Sequence, residues 1–178
     1  MAIDLTLKSN AITNREATPS VANEPGQGGA SKLRSVTGYL ASVTAALSVG
    51  SIIRMVSVPS NAIVHRVVFQ SAIQGDASDT GTVDIGVYRT NKDGGLVAFA
   101  SSDSFFASAI DWATTAVART DETNQSGTNT IAKQNQPLWK AIGMAKDPNA
   151  MLDICLTVST ADVVEGTGAA GLMVEYSD

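Results

Sequence analysis

Residues 81–95, with the sequence GTVDIGVYRTNKDGG, join an alternating apolar pattern to a cluster of turn-forming residues. Val83, Ile85 and Val87 share one face of the predicted strand, because successive side chains of a strand point to opposite faces. The closing Gly94 and Gly95 predict a turn, since glycine adopts a positive φ at little cost. We therefore expect a hairpin into LVAFAS. The stretch carries almost no reactive side chains, which indicates a structural sheet.

Similar short runs recur along the chain, at residues 32–41, 51–58, 62–71, 151–160 and 171–177. Seven to eight such strands, without a regular alternation of strands and helices, favour a mainly β fold over a parallel α/β sheet. The expected fold is a jelly-roll-like antiparallel β-sandwich. One short helix is predicted in QPLWKAIGM, because Pro137 suits the first turn of a helix and Leu138 meets Ile142 one turn later.

Three segments between these runs carry weaker predictions. In AIVHRVVFQS, strict alternation would place His65, Val67 and Phe69 on one face and Val64 on the other. The period of DSFFASAIDWATTAVA suits both a helical turn and a strand, so both stay open. The polar run at 118–136 is expected to be an exposed excursion.

Residues 1–31 differ from the rest in composition and pattern. They are predicted to be an extended N-terminal arm and linker, followed by the β-sandwich domain at 32–178. The linker part contains TPSVANEPGQGGAS, whose prolines and glycines break regular structure. Ile3, Leu5 and Leu7 alternate with polar residues, as in a strand that adds to the edge of a sheet. These three residues are the candidate interaction arm. A floppy terminus is the alternative.

Composition limits the classes of function. The 178 residues carry a net charge of -5, with +1 in residues 1–34 and -6 in the remainder. An acidic body argues against nucleic acid as the main partner, because phosphate binding needs clustered Lys and Arg. No run of about 18 apolar residues exists to cross a membrane, and no signal peptide is recognisable at the start. We expect a soluble protein made in a cytoplasm.

Reactive residues are scarce. His65 is the single histidine and Cys155 the single cysteine, so a nitrogen–sulfur zinc site cannot be assembled in one chain, and no nucleophile motif accompanies the histidine. Residues 75–81, GDASDTG, resemble a calcium loop but lack its ligand spacing. We expect no catalytic residues, no metal, no cofactor and no enzymatic activity. Tyr88 and Trp112 are candidate surface aromatics that could form a sugar-stacking platform.

The order of segments resembles a known family more than any one motif does. VTGYLASV, SIIRMVSVPSNAIVHRVVF, TGTVDIGVYRTNKDGGLV, FFASAIDW, TIAKQNQPLWKAIGM and DPNAMLDICLTVSTA follow one another. Over residues 32–176 the chain resembles head decoration, or cement, proteins that tailed bacteriophages encode beside the major capsid protein. The resemblance implies a jelly-roll-like domain on the outer surface of the virion capsid, often as a homotrimer, that clamps neighbouring subunits of the major capsid protein.

Two further functions stay open. One is a glycan-binding or host-adhesion module of a head fibre or tail, which would use Tyr88 or Trp112. The other is a structural tail or head-completion protein. A symmetric cement protein binds strongly through many weak interfaces, although each interface alone is weak. Such a role fits a domain without an evident active site.

Overall fold

Nine strands and three short helices make up the part of the chain that the structure describes. This computed structural model describes residues 7–19, 33–43, 46–75, 79–90, 97–98, 103–163 and 168–178. The elements are α1 (Asn10–Glu16), β1 (Leu33–Leu40), β2 (Ile52–Pro59), β3 (Ile63–Ser71), β4 (Thr82–Arg89), β5 (Val97–Ala98), β6 (Ala107–Asp111), β7 (Val117–Asp121), α2 (Ile131–Gln134), α3 (Leu138–Ala141), β8 (Met151–Val158) and β9 (Ala170–Ser177). In these ranges no helix is long and apolar enough to span a membrane.

The strands form two antiparallel sheets. The four-stranded sheet has the order β1-β9-β3-β7, and the five-stranded sheet has the order β2-β8-β4 with β5 and β6 both pairing with the free side of β4. Without the two-residue β5, the order 1-9-3-7 faces the order 2-8-4-6. Interleaved Greek keys of this kind define a jelly roll. The predicted fold class, a mainly β, jelly-roll-like sandwich, is confirmed.

Within the stretch at 81–95, residues Thr82–Arg89 form β4, which lies inside the five-stranded sheet between β8 and the pair β5 and β6. Val83, Ile85 and Val87 are fully buried in the core, as predicted. β4 pairs with β8 along one side and meets β5 in the hairpin expected from the sequence, with Tyr88 opposite Ala98. The predicted turn at residues 91–96 lies outside the described residues. Because β4 has neighbours on both sides, its alternating pattern fixes the register of the sheet.

β3 departs from the predicted alternation. A β-bulge between Val64 and Arg66 inserts one extra residue, so His65 and Arg66 are both exposed. Val64 and Val67 then both enter the core, although strict alternation placed them on opposite faces. A bulge shifts the register by one residue, and every side chain beyond it changes face relative to the simple pattern.

The polar run at 118–136 is more ordered than predicted. It contains most of β7 and all of α2, and Glu122, Thr123 and Asn129 are buried. Hydrogen bonds replace apolar burial here: the Thr123 hydroxyl accepts from the backbone N–H of Val67 at 2.8 Å, and the Asn129 amide donates to the carbonyl of Thr123 at 2.9 Å. Most of the run is exposed, as predicted, but these three residues are buried, because local hydrogen bonds satisfy their polar groups.

Helices were also under-predicted. The helix in QPLW is present as α3, with Leu138 buried and its N–H donating to the carbonyl of Ala62 at 2.8 Å. α1 and α2 add to the one short helix expected. The segment with an ambiguous period forms β6, which ends at Asp111, one residue before the buried Trp112.

Candidate interaction surfaces

The N-terminal segment, residues 7–19, is attached to the edge of the five-stranded sheet. Lys8 forms a parallel bridge with Arg54 of β2. The N–H of Arg54 donates to the carbonyl of Leu7 at 3.3 Å, and the N–H of Ser9 donates to the carbonyl of Arg54 at 2.8 Å. The segment therefore occupies a strand edge that would otherwise expose unpaired backbone groups.

Helix α1 follows directly and closes the gap between the two sheets. It lies against β1 and β2, which are edge strands of the two sheets. The Ser9 hydroxyl accepts from the N–H of Ile12 at 3.4 Å as the helix cap and donates to the carbonyl of Met55. Ile12 is fully buried. Residues 10–16 are thus helical, which corrects the prediction of an extended arm for this part of 1–31. Burial against a sheet edge stabilises a helix too short to form alone.

A cluster of buried charges fastens the segment to the outer face of β2 and β8. The Arg54 side chain is 1% exposed and Asp153 is fully buried. Arg54 Nε donates to Asp153 Oδ2 at 2.7 Å, and Arg54 Nη2 lies 2.6 Å from Glu16 Oε1 of α1. Ser57 donates its hydroxyl proton to the second oxygen of Asp153. Lys8 Nζ also lies 2.6 Å from Glu16.

These contacts determine the charge state of the cluster. Burial by itself would raise the pKa of Glu16, but hydrogen bonds from Lys8 and Arg54 outweigh it, so the pKa lies below its ordinary value. Burial acts to lower the pKa of Arg54, but Asp153 and Glu16 outweigh burial, so the pKa lies above its ordinary value. The ionised forms are therefore favoured, and Arg54 links the N-terminal segment to β8 through two carboxylates.

The candidate arm residues divide into two groups. Leu7 is half-buried and packs against the main core of its own chain. Ile3 and Leu5 lie outside the described residues. The boundary between an arm at 1–31 and a domain at 32–178 stays a prediction, although residues 7–19 contact strands on the domain side of it.

The two candidate surface aromatics are in the interior. Tyr88 is 1% exposed, and burial raises its pKa to about 12 even though its hydroxyl bonds with Thr157 at 2.7 Å. Trp112 is fully buried within the main core. The prediction of a surface position is wrong for both. Tyr88 is enclosed although it lies on the face of β4 opposite Val83, Ile85 and Val87, and Trp112 directly follows β6.

The single histidine and the single cysteine lie in different environments. His65 is exposed, and its Nε2 lies 2.9 Å from the Ser177 hydroxyl. Cys155 is fully buried, and burial raises the pKa of its thiol. Within the described ranges, no group of three or more His, Cys, Asp and Glu side chains is close enough to hold a metal ion. Residues 76–78 of the GDASDTG loop are outside those ranges.

The outer face of the four-stranded sheet is open, in contrast to that of the five-stranded sheet. It contains a groove of about 250 Å³, which we call the sheet groove, lined by Thr37, Val68, Gln70, Arg119, Gly171, Leu172 and Met173. Gly171 leaves space in the floor, since a Cβ at this position would have its nearest neighbour at 3.8 Å. Tyr39 stands opposite Gly171 and is 51% exposed.

The fold occurs in chains from bacteriophage capsids. No protein-family model matches this chain, and no curated protein matches it. A chain in the capsid of Ralstonia phage GP4 is 12% identical over 96% of both chains, with a TM-score of 0.59. A chain in the capsid asymmetric unit of cyanophage Pam1 is 16% identical over 90% of this chain and 95% of that chain, with a TM-score of 0.52. At these identities the likeness establishes a shared fold.

Arg54 and Asp153 were not among the predicted functional residues. The signal was present in the sequence: each is a lone charge in an otherwise apolar strand, in SIIRMVSV and MLDICLTV, and the two charges have opposite signs. Buried charges are paired as a rule, so two such residues predict an ion pair. The third member, Glu16, carries no comparable signal because it lies in a polar segment.

Proposed function

We propose that the protein is a capsid decoration, or cement, protein of a tailed bacteriophage that binds the outer surface of the head and stabilises its lattice. The observation that carries this proposal is the likeness to a chain of the GP4 capsid, which spans 96% of both chains. The likeness therefore extends over nearly the whole of this chain and includes the β-sandwich.

The architecture supports a structural role. Two packed sheets with a core of buried aliphatic and aromatic side chains make a rigid body. The charge of the body is acidic, which is unfavourable for contact with packaged DNA and compatible with a position on the outside of a shell. Such a protein would act on the major capsid protein by bridging adjacent subunits, where repeated weak contacts add up. A homotrimer remains a prediction from the family resemblance.

The alternative of a glycan-binding or host-adhesion module depended on Tyr88 and Trp112. Both side chains are buried, so neither offers a face on which a sugar ring can stack. No other observation in the described part of the chain favours sugar binding, and we do not propose it.

The test uses heads that lack the protein. Purified protein is added to such heads, binding is measured by co-sedimentation, and head stability is measured by the temperature at which DNA is released. We expect saturable binding and a higher release temperature. Heads that neither bind the protein nor change in stability would refute the proposal.

The arm can be tested separately with a deletion that the structure makes specific. Removing residues 2–6 takes away Ile3 and Leu5 but leaves Ser9, Ile12 and Glu16 in their contacts with β2. We propose that residues 1–6 contribute to capsid binding, so this deletion should weaken binding without changing the thermal unfolding of the free protein. Undiminished binding would contradict the role of the arm and leave the cement proposal standing.

A further inference from the structure

One end of the sandwich, which we call the acidic end, carries only negative charge. β1, β3, β6 and β8 end there, and β2, β4, β7 and β9 begin there. The sequence of the four connections at this end, residues 41–51, 72–81, 111–116 and 159–169, contains five acidic residues and no Lys, Arg or His. The structure describes three of these acids, Asp79, Asp111 and Asp162.

The acidic end combines its charge with exposed aliphatic side chains. Asp162 is exposed, and one of its oxygens accepts from the N–H of Val49 at 2.9 Å. The Val49 side chain is 43% exposed, and Ile73 is 47% exposed. Hydrogen bonds from the Thr114 side chain and backbone lower the pKa of the exposed Asp111, so this carboxylate is ionised at neutral pH. A partner would therefore meet both carboxylates and apolar surface here.

The opposite end of the sandwich is closed by residues 123–150, and we call it the lysine end. α3 attaches this segment to the turn between β2 and β3, where the N–H of Leu138 donates to the carbonyl of Ala62 at 2.8 Å. The segment contains three lysines and a single acidic residue, Asp147. The lysines are Lys133, Lys140 and Lys146. Positive charge thus predominates in the segment.

The exposed groups of the lysine end are available to a partner. Lys140 and Lys146 are exposed and form no ion pair with another described residue, whereas Lys133 is half-buried. The carboxylate of Asp147 already accepts from the N–H of Asn149 at 2.8 Å. Ile131 of α2 is 78% exposed, so this end also combines charge with an aliphatic side chain.

The two ends act as separate charged surfaces. The other described charges at the lysine end offset each other: Arg34 Nε bonds to Asp178 at 2.9 Å, and Arg89 and Asp103 have opposite formal charges. The eight residues of β2 separate the two ends by about 26 Å. This distance exceeds the Debye length of about 8 Å at physiological ionic strength, so the charges of one end do not cancel those of the other.

We propose that the lysine end binds the acidic end of a second copy of the chain in a head-to-tail contact. The acidic end is a surface of opposite sign that every copy carries, and each end adds exposed aliphatic side chains to the contact. A pairing of two like ends brings equal charges together and is unfavourable. The inference does not rest on the capsid proposal, since it concerns the free chain.

The geometry of the contact predicts the kind of assembly. A head-to-tail interface uses two different surfaces, so each copy binds one neighbour at each end, and the result is a ring or an open chain. The charges are solvent-exposed, and exposed ion pairs contribute little free energy individually. We therefore expect weak, concentration-dependent association that salt weakens further.

Sedimentation velocity of the full-length protein at several concentrations and two ionic strengths is the first measurement. The average mass of the wild type should rise with concentration beyond that of a dimer. Raising the salt from about 50 mM to about 500 mM shortens the Debye length from about 14 Å to about 4 Å and should reduce the association. A wild type that is monomeric throughout, or an association that salt does not change, overturns the proposal.

Two variants with one impaired end each give a sharper test. Lys140→Glu with Lys146→Glu impairs the lysine end, and Asp79→Lys with Asp162→Lys impairs the acidic end. Each double variant alone should associate about tenfold or more weakly than the wild type. Their mixture should form one-to-one dimers and nothing larger, because each variant retains the end that the other lacks. A mixture that stays monomeric, or that forms larger assemblies, contradicts a head-to-tail contact.

The controls separate the contact from effects of folding and net charge. The unfolding midpoint of each variant is measured alongside its mass. Ile131→Ser removes an exposed side chain from a helix without buried residues, so it should weaken association and leave the midpoint unchanged. Arg66→Glu reverses a half-exposed charge midway along the sandwich and should associate as the wild type does, in contrast to Lys140→Glu.

Titrations with heads identify a different occupant of the lysine end. If Lys140→Glu with Lys146→Glu loses binding to heads while the wild type is monomeric in solution, the lysine end belongs to a capsid protein and the contact between copies is refuted. If this variant still binds heads as a monomer but no longer self-associates, the lysine end is a contact between copies. Failure of the wild type to bind heads leaves the self-association result unchanged and refutes only the capsid proposal.

Discussion

The outer face of the five-stranded sheet is covered, whereas the outer face of the four-stranded sheet is exposed. Over β2 and β8 the chain's own residues 7–19 cover the sheet, and Arg54 and Asp153 beneath them are almost inaccessible to water. Over β1, β9, β3 and β7 the face is open, with exposed Tyr39 and the sheet groove beside it. The first face has its partner within the chain, whereas the second is free to bind another molecule.

Charged side chains have different roles on the two outer faces of the sandwich. On the covered face, ionised groups are desolvated and must be paired, so they determine where the N-terminal segment docks. On the open face, Arg66 and Asp121 are about half exposed, and water screens their attraction. Charges there contribute less to folding and more to the choice of partner.

Replacing the central guanidinium of the covered face should have the largest effect. Arg54→Met leaves Asp153 and Glu16 without their shared partner, and removal of one member of a buried ion pair costs about 3–5 kcal/mol. We expect a loss of that size in the free energy of unfolding, measured by denaturant titration. Arg66→Met, on the open face, is the control and should cost about 0–1 kcal/mol. Equal losses in the two variants would show that the two faces do not differ in this way.

A smaller effect is expected from glycine substitutions on the two sides of the four-stranded sheet. Gly38 of β1 packs against β2, and a Cβ there would overlap the carbonyl oxygen of Met55. Gly38→Ala should therefore cost about 1–3 kcal/mol in the free energy of unfolding, as overpacking does. Gly171→Ala faces open space and should change it by less than about 0.5 kcal/mol. A neutral Gly38→Ala would mean that the two sheets separate easily at this edge.

The smallest effect concerns Glu122, directly after β7. Burial, and then the neighbouring Asp121, raise its pKa above the ordinary value of 4.5, and its carboxylate forms no ion pair with a described residue. A raised pKa in the folded state means that the charged form destabilises the fold at neutral pH, and that this penalty disappears as pH falls below 4.5. Glu122→Gln should raise the melting temperature by a few degrees at pH 7, with the difference shrinking towards pH 4.

Asp111→Asn is the comparison for that measurement, because the pKa shift of Asp111 has the opposite sign to that of Glu122. Hydrogen bonds from the Thr114 side chain and backbone lower the pKa of Asp111, so its charged form stabilises the fold at neutral pH. The melting temperature of Asp111→Asn should be slightly below that of the wild type at pH 7 and approach it in acid. A pH-independent difference for Glu122→Gln would contradict the assignment of a buried, charged Glu122.

The strands with a regular alternation were predictable because one face of each strand packs into the core. β1, β2, β4, β8 and β9 appear where the apolar pattern placed them, and the hairpin after β4 followed from its turn residues. β7 was missed because an edge strand with one pairing partner and a polar face has no apolar pattern to reveal it. The bulge in β3 was invisible for a related reason: an inserted residue is defined by its partner strand.

The candidate site was predictable only in part. The alternation of Leu7 with polar residues indicated a segment that adds to a sheet edge, and residues 7–9 do bond to β2. Which edge receives the segment was not encoded locally, since it depends on Arg54 meeting Glu16, 38 positions earlier in the sequence. Tyr88 and Trp112 were misplaced because aromatic residues are common both in cores and on binding surfaces, and the local sequence does not separate the two.

By itself, the sequence determined the class of the fold, the central strands and the scarcity of reactive groups, because these depend on composition and on the period of apolar residues. The tertiary structure alone decided which outer face is covered and which stays open. That choice depends on pairings between residues far apart in the chain: Arg54 with Asp153 and Glu16 on one face, and Arg66 with Asp121 on the other. Such pairings are produced by the crossing of β-strands in a jelly roll, and no local pattern records them.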